Sequence, residues 1–418
     1  MKKRLLSYYQ DDFLRHNIIF FIGSMTVAVL NYAYHPIISR MLSVEEFGEV
    51  QAYFSLIAQI GIISGVFGRI ILNIKTNVTD NNSNENVVGQ LYSLSTLLTG
   101  ALALGLIAFS PYIGALLNLP GYLGLIITAV ILLISIPVTF AKFELQAKKQ
   151  FGKVSIAELI TSVGKIAFAL MCIYLGTQAL GALFGLLLAI LVGLIYVYPH
   201  TKKTIHFNSF ARPSLSPTLR TELKYGALIF VATSFITFLY TSDILIVRYF
   251  FDAETAGMYA GIATVARIIV FATGSIAGVA IAHVMLKNSH QENHMVMNKS
   301  LRLVIVIAGS ILVIFSLIPE LIIKALMGDR FLDMAELLPF LSILMALVAL
   351  TNLFIMYFLA LRRYFLIPIL LISSLTIAIT TFMWHNSVED VLLSLVYGVV
   401  LALVSMVFFY LQEPAKSR

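Results

Sequence analysis

"SRMLSVEEFGEVQAYFSLI", Ser39 to Ile57, and "RYFFDAETAGMYAGIATVA", Arg248 to Ala266, stand half a chain apart. Glu45 matches Glu254 and Gly48 matches Gly257. A second pair, "LQAKKQF" from Leu145 and "LALRRYF" from Leu359, follows in the same order at nearly the same spacing. Ordered matches at one spacing mark an internal duplication. Each copy of the first stretch is an acidic knuckle set between two long apolar runs, and that setting decides the fold.

The chain is 59% hydrophobic and 12% charged, with a mean hydropathy of +0.93. A soluble domain needs far more polar surface than this. The composition predicts an all-α polytopic membrane protein. A membrane helix takes about 20 apolar residues, and about twelve such spans are predicted. In the first half they cover 17–38, 50–72, 88–110, 121–141, 154–175 and 179–198. In the second half they cover 225–247, 256–283, 301–323, 336–360, 364–384 and 390–411. The expected organisation is an N-terminal six-helix bundle over 1–198, a cytoplasmic linker rich in Pro, Ser and basic residues over 199–224, and a C-terminal six-helix bundle over 225–418. Bundles duplicated with six spans each face the same way and are related by a pseudo-two-fold axis along the membrane normal. The N-terminal "MKKRLLSYYQDDFLRHN" has no small-residue cleavage site, so a retained first span is expected.

The pI near 9.3 would suggest nucleic acid in a soluble protein, but here the positive-inside bias accounts for it. With the N-terminus inside, only Arg40, Arg248, Lys324 and Arg330 fall on the outer side. Arg69, Lys165 and Arg267 fall within spans, and every other Lys and Arg is cytoplasmic. N-in, C-in follows. The knuckle then joins spans 1 and 2 outside the cytoplasm, and its copy joins spans 7 and 8. Ser43 and Glu46 have the spacing of a capping box, and Glu45 and Glu46 suit a helix N-terminus. In the copy, Asp252 is the expected cap. The alternative is a proton or cation site at the outer mouth.

The stretches "PIISRMLSVEEFGEVQAYFSLIAQIGIISG", "SDILIVRYFFDAETAGMYAGIATVARII" and "LPFLSILMALVALTNLFIMYFLALRRYFL" resemble the polysaccharide transporters of the multidrug/oligosaccharidyl-lipid/polysaccharide exporter superfamily. The resemblance covers nearly the whole chain in span number, order and length. It implies a Wzx-type flippase of the bacterial inner membrane. Such a protein moves undecaprenyl-pyrophosphate-linked oligosaccharide, such as an O-antigen unit, to the periplasmic leaflet by alternating access. H⁺ or Na⁺ coupling and other glycan-assembly membrane proteins are the expected accessories, with no cofactor and no nucleic acid.

Ionisable residues within spans cost about 2.5–3.5 kcal/mol each at a helix centre and so should face protein or water. Arg69, Lys165 and Arg267 are the expected cationic contacts to the cargo, lining one cavity. Glu158 and Asp243 are candidate coupling or ion-pair residues. Glu158 is two helical turns before Lys165, and Asp243 is a candidate partner of Arg267. Pro36, in "NYAYHP" from Asn31, is a candidate gating bend, and Pro137 and Pro368 are candidate bends in spans 4 and 11. "GIISG" from Gly61, "GALFG" from Gly181 and "GSIAG" from Gly274 predict close helix contacts.

"HQENH" from His290 lacks the order of a zinc motif and an evident third ligand, so no metal site is expected. The sequence contains no P-loop motif, which leaves an ion gradient or the cargo's own concentration difference as the driving force. Two alternatives stand beside the flippase. An ion-coupled multidrug exporter should favour acidic residues in its cavity. A membrane glycan polymerase or ligase generally needs a long external loop.

Overall fold

A computed structural model describes residues 12–77, 81–201, 217–284 and 289–412. Among these residues the chain is helical, with short connections. That is the form apolar backbone takes where no water can satisfy its polar groups. The first half holds α1 (Asp12–Ser39), α2 (Val44–Asn77), α3 (Asn81–Ala108), α4 (Ser110–Leu116), α5 (Leu123–Ala147), α6 (Phe151–Cys172) and α7 (Gln178–Thr201). The second holds α8 (Pro217–Phe250), α9 (Ala253–Ala266), α10 (Ile268–His283), α11 (His290–Leu317), α12 (Pro319–Leu326), α13 (Leu337–Ala360), α14 (Leu366–Met383) and α15 (Val388–Gln412).

Ten stretches among the described residues are helical, long and apolar enough to cross a membrane, with Phe151–His200 counted as one stretch of 50 residues. That stretch is broken by a wide turn over Ile173–Thr177, where Gly176 has φ +83° and Gln178 φ +50°. Its halves, α6 and α7, pack side by side. The first expected span lies on α1, whose side chains before Gly23 are outside the described residues. The ninth span, expected at 301–323, starts earlier, at His290. It ends at Leu317 because Ile318 leaves the helical conformation and Pro319 opens the separate α12. "HQENH" is therefore the first turn of α11, capped by a reciprocal pair of bonds between Ser289 and Glu292. Of the expected linker, α7 covers residues up to Thr201 and α8 covers those from Pro217. The remainder is outside the described residues.

The chain forms two compact units. One comprises Met1–Leu42 and Ile60–Leu223, the other Ser43–Gln59 and Lys224–Arg418. The first turns of α2, Ser43–Gln59, cluster with the second half and not with the rest of the N-terminal segment. In the first unit α5 packs on α3 and α7, and α1 packs on α6. Glycines let α6 and α7 approach closely: a Cβ on Gly185 would overlap the backbone of Ala169, and one on Gly164 would press on Ala189 at 3.3 Å. In the second unit α13 is the buried centre, with Leu338, Leu341, Leu344, Met345 and Val348 fully enclosed by α9, α10, α11 and α15. The flanking α11 and α14 expose Leu303, Ile305, Val306, Leu371, Ile372 and Leu375, apolar surface suited to lipid.

The small-residue expectation divides. "GALFG" packs tightly at both glycines, whereas nothing lies within 4 Å of a Cβ placed on Gly61, Gly65, Gly274 or Gly278. At those four glycines a side chain would meet open space among the described residues. The proline bends divide as well. Pro36 and Pro137 lie inside helices, but Pro368 is in the first turn of α14, where no intrahelical bond is lost.

Both halves use the same local devices. The helices α5 and α13 end in one hydrogen-bonded turn. In it Gln150 N–H reaches the Leu145 carbonyl at 2.8 Å, and Arg363 N–H the Phe358 carbonyl at 2.9 Å. The left-handed residues there are Lys149 (φ +57°) and Arg362 (φ +51°). They pair the two basic motifs one residue away from the alignment of "LQAKKQF" with "LALRRYF". A third match has no forerunner in the sequence reading. The short helices α4 and α12 carry a proline at their second and first residue, Pro111 and Pro319, and run into "ALLN" and "ALMG", with Asn118 at φ +49° and Gly328 at φ +99°.

Candidate functional site

The acidic knuckle resolves into three separate jobs. Ser43 and Glu46 form the capping box: Glu46 N–H donates to Ser43 Oγ at 3.2 Å, and Ser43 N–H to Glu46 Oε2 at 2.8 Å. Gly48 lies against its own counterpart, since a Cβ there would sit 2.6 Å from the Gly257 Cα. Glu49 is buried and accepts a hydrogen bond from the Tyr53 hydroxyl at 3.0 Å. Arg248, also buried, acts electrostatically on both Glu49 and Tyr53. Arg248 stands in the last turn of α8 with its side chain buried. In the copied knuckle, Asp252 accepts from Thr255 N–H at 2.9 Å and from the Thr255 hydroxyl at 2.7 Å. Those two bonds hold the Asp252 carboxyl below the usual carboxylate range.

In the first unit the membrane-spanning helices bring a cation to α1. Asn31 and Tyr34 are three apart on α1, and Ser162 and Lys165 are three apart on α6, so each pair shares one helix face. The faces meet. The Lys165 Nζ donates to Asn31 Oδ1 at 2.9 Å and sits 4.3 Å from the centre of the Tyr34 ring. Asn31 Nδ2 donates in turn to Ser162 Oγ at 3.2 Å. The Lys165 side chain is 9% exposed. These contacts orient the ammonium, the second through a cation–π attraction.

Glu158 does not approach Lys165. It pairs with Lys142 at 2.8 Å, because two turns along a straight helix separate it from Lys165 by about 10 Å of rise. Nearby, Glu144 lies between Lys75 and Lys148. Arg69 is exposed on α2, next to Gly68, whose lack of a side chain admits the Phe143 ring. Pro36 interrupts α1 one turn before its end, and its carbonyl accepts from Ser39 Oγ at 3.0 Å and Arg40 Nη1 at 3.3 Å.

In the second unit, Asp243 on α8 has no exposed surface. Its Oδ1 accepts from Arg267 Nη2 at 2.7 Å and its Oδ2 from the Tyr259 hydroxyl at 3.0 Å. Arg267 is 7% exposed and stands where α9 meets α10. Its Nε is buried and has no hydrogen-bond acceptor among the described residues. Of the three expected cations, Arg69 and Lys165 thus belong to the first unit and Arg267 to the second.

The sequence reading missed Asn31, Tyr34, Ser162 and Tyr259. "NYAYH" from Asn31 was the available signal, since five residues with four polar or aromatic groups inside an apolar span call for a partner. Among the described residues no group of three His, Cys, Asp or Glu side chains could hold a metal ion.

A family model described as polysaccharide biosynthesis protein matches residues 13–287. No curated sequence matches the chain. Among solved structures, the fold is similar to that of the lipid II flippase MurJ in an inward closed conformation. The TM-score is 0.74 at 13% identity, over 95% of this chain and 88% of that one. It is also similar to an inward-facing multidrug resistance MATE family transporter of the MOP superfamily, with a TM-score of 0.68 at 13% identity, over 94% and 97% of the two chains. A eukaryotic MATE transporter follows at 0.60 and 13%, over 97% and 98%. At such identities the likeness is one of fold.

Proposed function

We propose that this chain, which belongs to the polysaccharide biosynthesis protein family and is a multi-pass membrane transporter and not an enzyme, is a flippase for a lipid-linked oligosaccharide. Its cargo is an undecaprenyl-pyrophosphate-linked glycan unit such as an O-antigen repeat. It moves that unit across the bacterial inner membrane by alternating access, with twelve spans and both termini in the cytoplasm.

The observation that carries this reading is Lys165, a cation buried within the membrane-spanning helices and steered by Asn31 and Tyr34. The lipid tail of such a cargo can stay in the bilayer while it turns over. The sugars and the pyrophosphate cannot enter hydrocarbon without a large desolvation cost. A single oriented ammonium gives the anion a foothold that is weak enough to release. Arg69 is the second proposed contact. Arg267 spends its charge on Asp243, so its proposed share is a hydrogen bond from Nε and not a net charge. The two acids singled out within expected spans are engaged by cations, Glu158 by Lys142 and Asp243 by Arg267, which favours an anionic cargo over the cationic drugs of an exporter.

Charge reversal tests the assignment. Lys165→Glu is expected to abolish flipping of a lipid-linked oligosaccharide in proteoliposomes, and surface glycan in cells, at unchanged protein level. Arg69→Glu should reduce both, and Arg267→Glu should reduce both together with stability. Normal glycan from all three variants would refute the reading.

A further inference from the structure

We infer that Arg267 is a tethered counter-cation: it fills the place at Asp243 that a small metal cation would otherwise take, so the second unit needs no free ion there. A carboxylate inside a membrane protein is by default a site for a proton or cation, because it cannot stay charged and alone. Asp243 is wholly enclosed, and each of its oxygens already has a donor. The guanidinium lies at hydrogen-bond distance on one, and the Tyr259 phenol on the other. The three groups come from α8, from within α9 and from the junction of α9 with α10, so one carboxylate fastens three helical segments. A metal cation binding here would have to displace a guanidinium that α9 and α10 hold covalently in place, at an effective concentration that free ions in solution do not reach.

The inference uses the transporter reading only in regarding such a cation as a coupling ion. The test involves no cargo, so its failure is separate from a failure of the flippase reading. Thermal unfolding of the purified full chain is followed in sodium chloride and in choline chloride at matched ionic strength. The parent protein should unfold at the same temperature in both. Arg267→Met should lower the unfolding temperature in choline, and sodium should restore much of that loss by occupying the vacated carboxylate. The double variant Asp243→Asn/Arg267→Met should be more stable than the single one in choline and should ignore sodium.

Three results would overturn the inference. One is a sodium stabilisation of the parent that disappears in Asp243→Asn, since the ion would then reach the carboxylate with Arg267 present. Another is an Arg267→Met protein equally unstable in both salts. The third is a double variant no more stable than the single one. If Arg267→Met cannot be purified, the parent, Asp243→Asn and the double variant still decide: a double variant that folds without sodium supports the tethered cation, and one that fails to fold overturns it.

Discussion

Lys165 and Arg267 are both cations more than nine-tenths buried inside apolar helices, one in each unit, yet their surroundings differ in kind. A carboxamide and an aromatic ring orient the charge of Lys165. A carboxylate beside Arg267 cancels its charge and makes it part of the packing. Buried charge therefore has two uses in this protein, which sequence position alone does not separate. The cation held by a carboxamide and a ring is the proposed contact for an anion that comes and goes. The paired cation is suited to holding helices.

The sharpest way to break this contrast is at the paired site. Asp243→Ala leaves a guanidinium buried without its partner and is expected to cost about 3–5 kcal/mol of stability, read by chemical or thermal unfolding in detergent. A loss as small as that of a surface substitution would mean that the pair holds nothing. Lys165→Met should behave in the opposite sense. Its stability cost is expected at about 1–3 kcal/mol, from the acceptor left on Asn31, while flipping falls far more than folding does. Equal losses in both assays would erase the distinction between the two sites. Tyr34→Leu, which removes the ring but keeps an apolar side chain, should cost about 0.5–2 kcal/mol and reduce flipping only partly, with Lys165 still in place.

The smallest effect is expected away from both sites, at the copied knuckle. Asp252→Ala should cost about 1 kcal/mol by loss of the cap and leave flipping per folded molecule unchanged. This effect depends on pH with a defined sign. The Asp252 carboxyl is held below its ordinary range when folded, so its contribution is present above the unfolded carboxylate value. That contribution is lost as pH falls through the lower, folded value. The parent and Asp252→Ala should therefore converge in stability at acid pH and diverge toward neutrality.

The general architecture was legible because it rests on periodicity and on backbone chemistry that no neighbour can override. Long apolar runs had to become helices, and Ser43 and Asp252 had to cap the ones they precede. Boundaries that depend on one residue's conformation were not legible. Ile318 ends α11 by leaving the helical region, and Lys149 rather than Lys148 takes the left-handed turn. The candidate site was legible in half. An ionisable residue inside a span announces itself, so Lys165, Arg267 and Asp243 could be picked out. Their partners could not, because Asn31, Tyr34 and Tyr259 are ordinary residues until the packing of α1 on α6, or of α9 beside α8, gives them something to hold. Glu49 shows the same limit: it reads like Glu45 and Glu46, and only its depth sets it apart.

The meeting of Gly48 with Gly257 has a meaning beyond close packing. Both knuckles lie within the second compact unit, although one comes from the first half of the sequence, and they meet through their glycines. Such a contact cannot be repaired from the other side. When one glycine acquires a side chain, its partner has no atom left to give up.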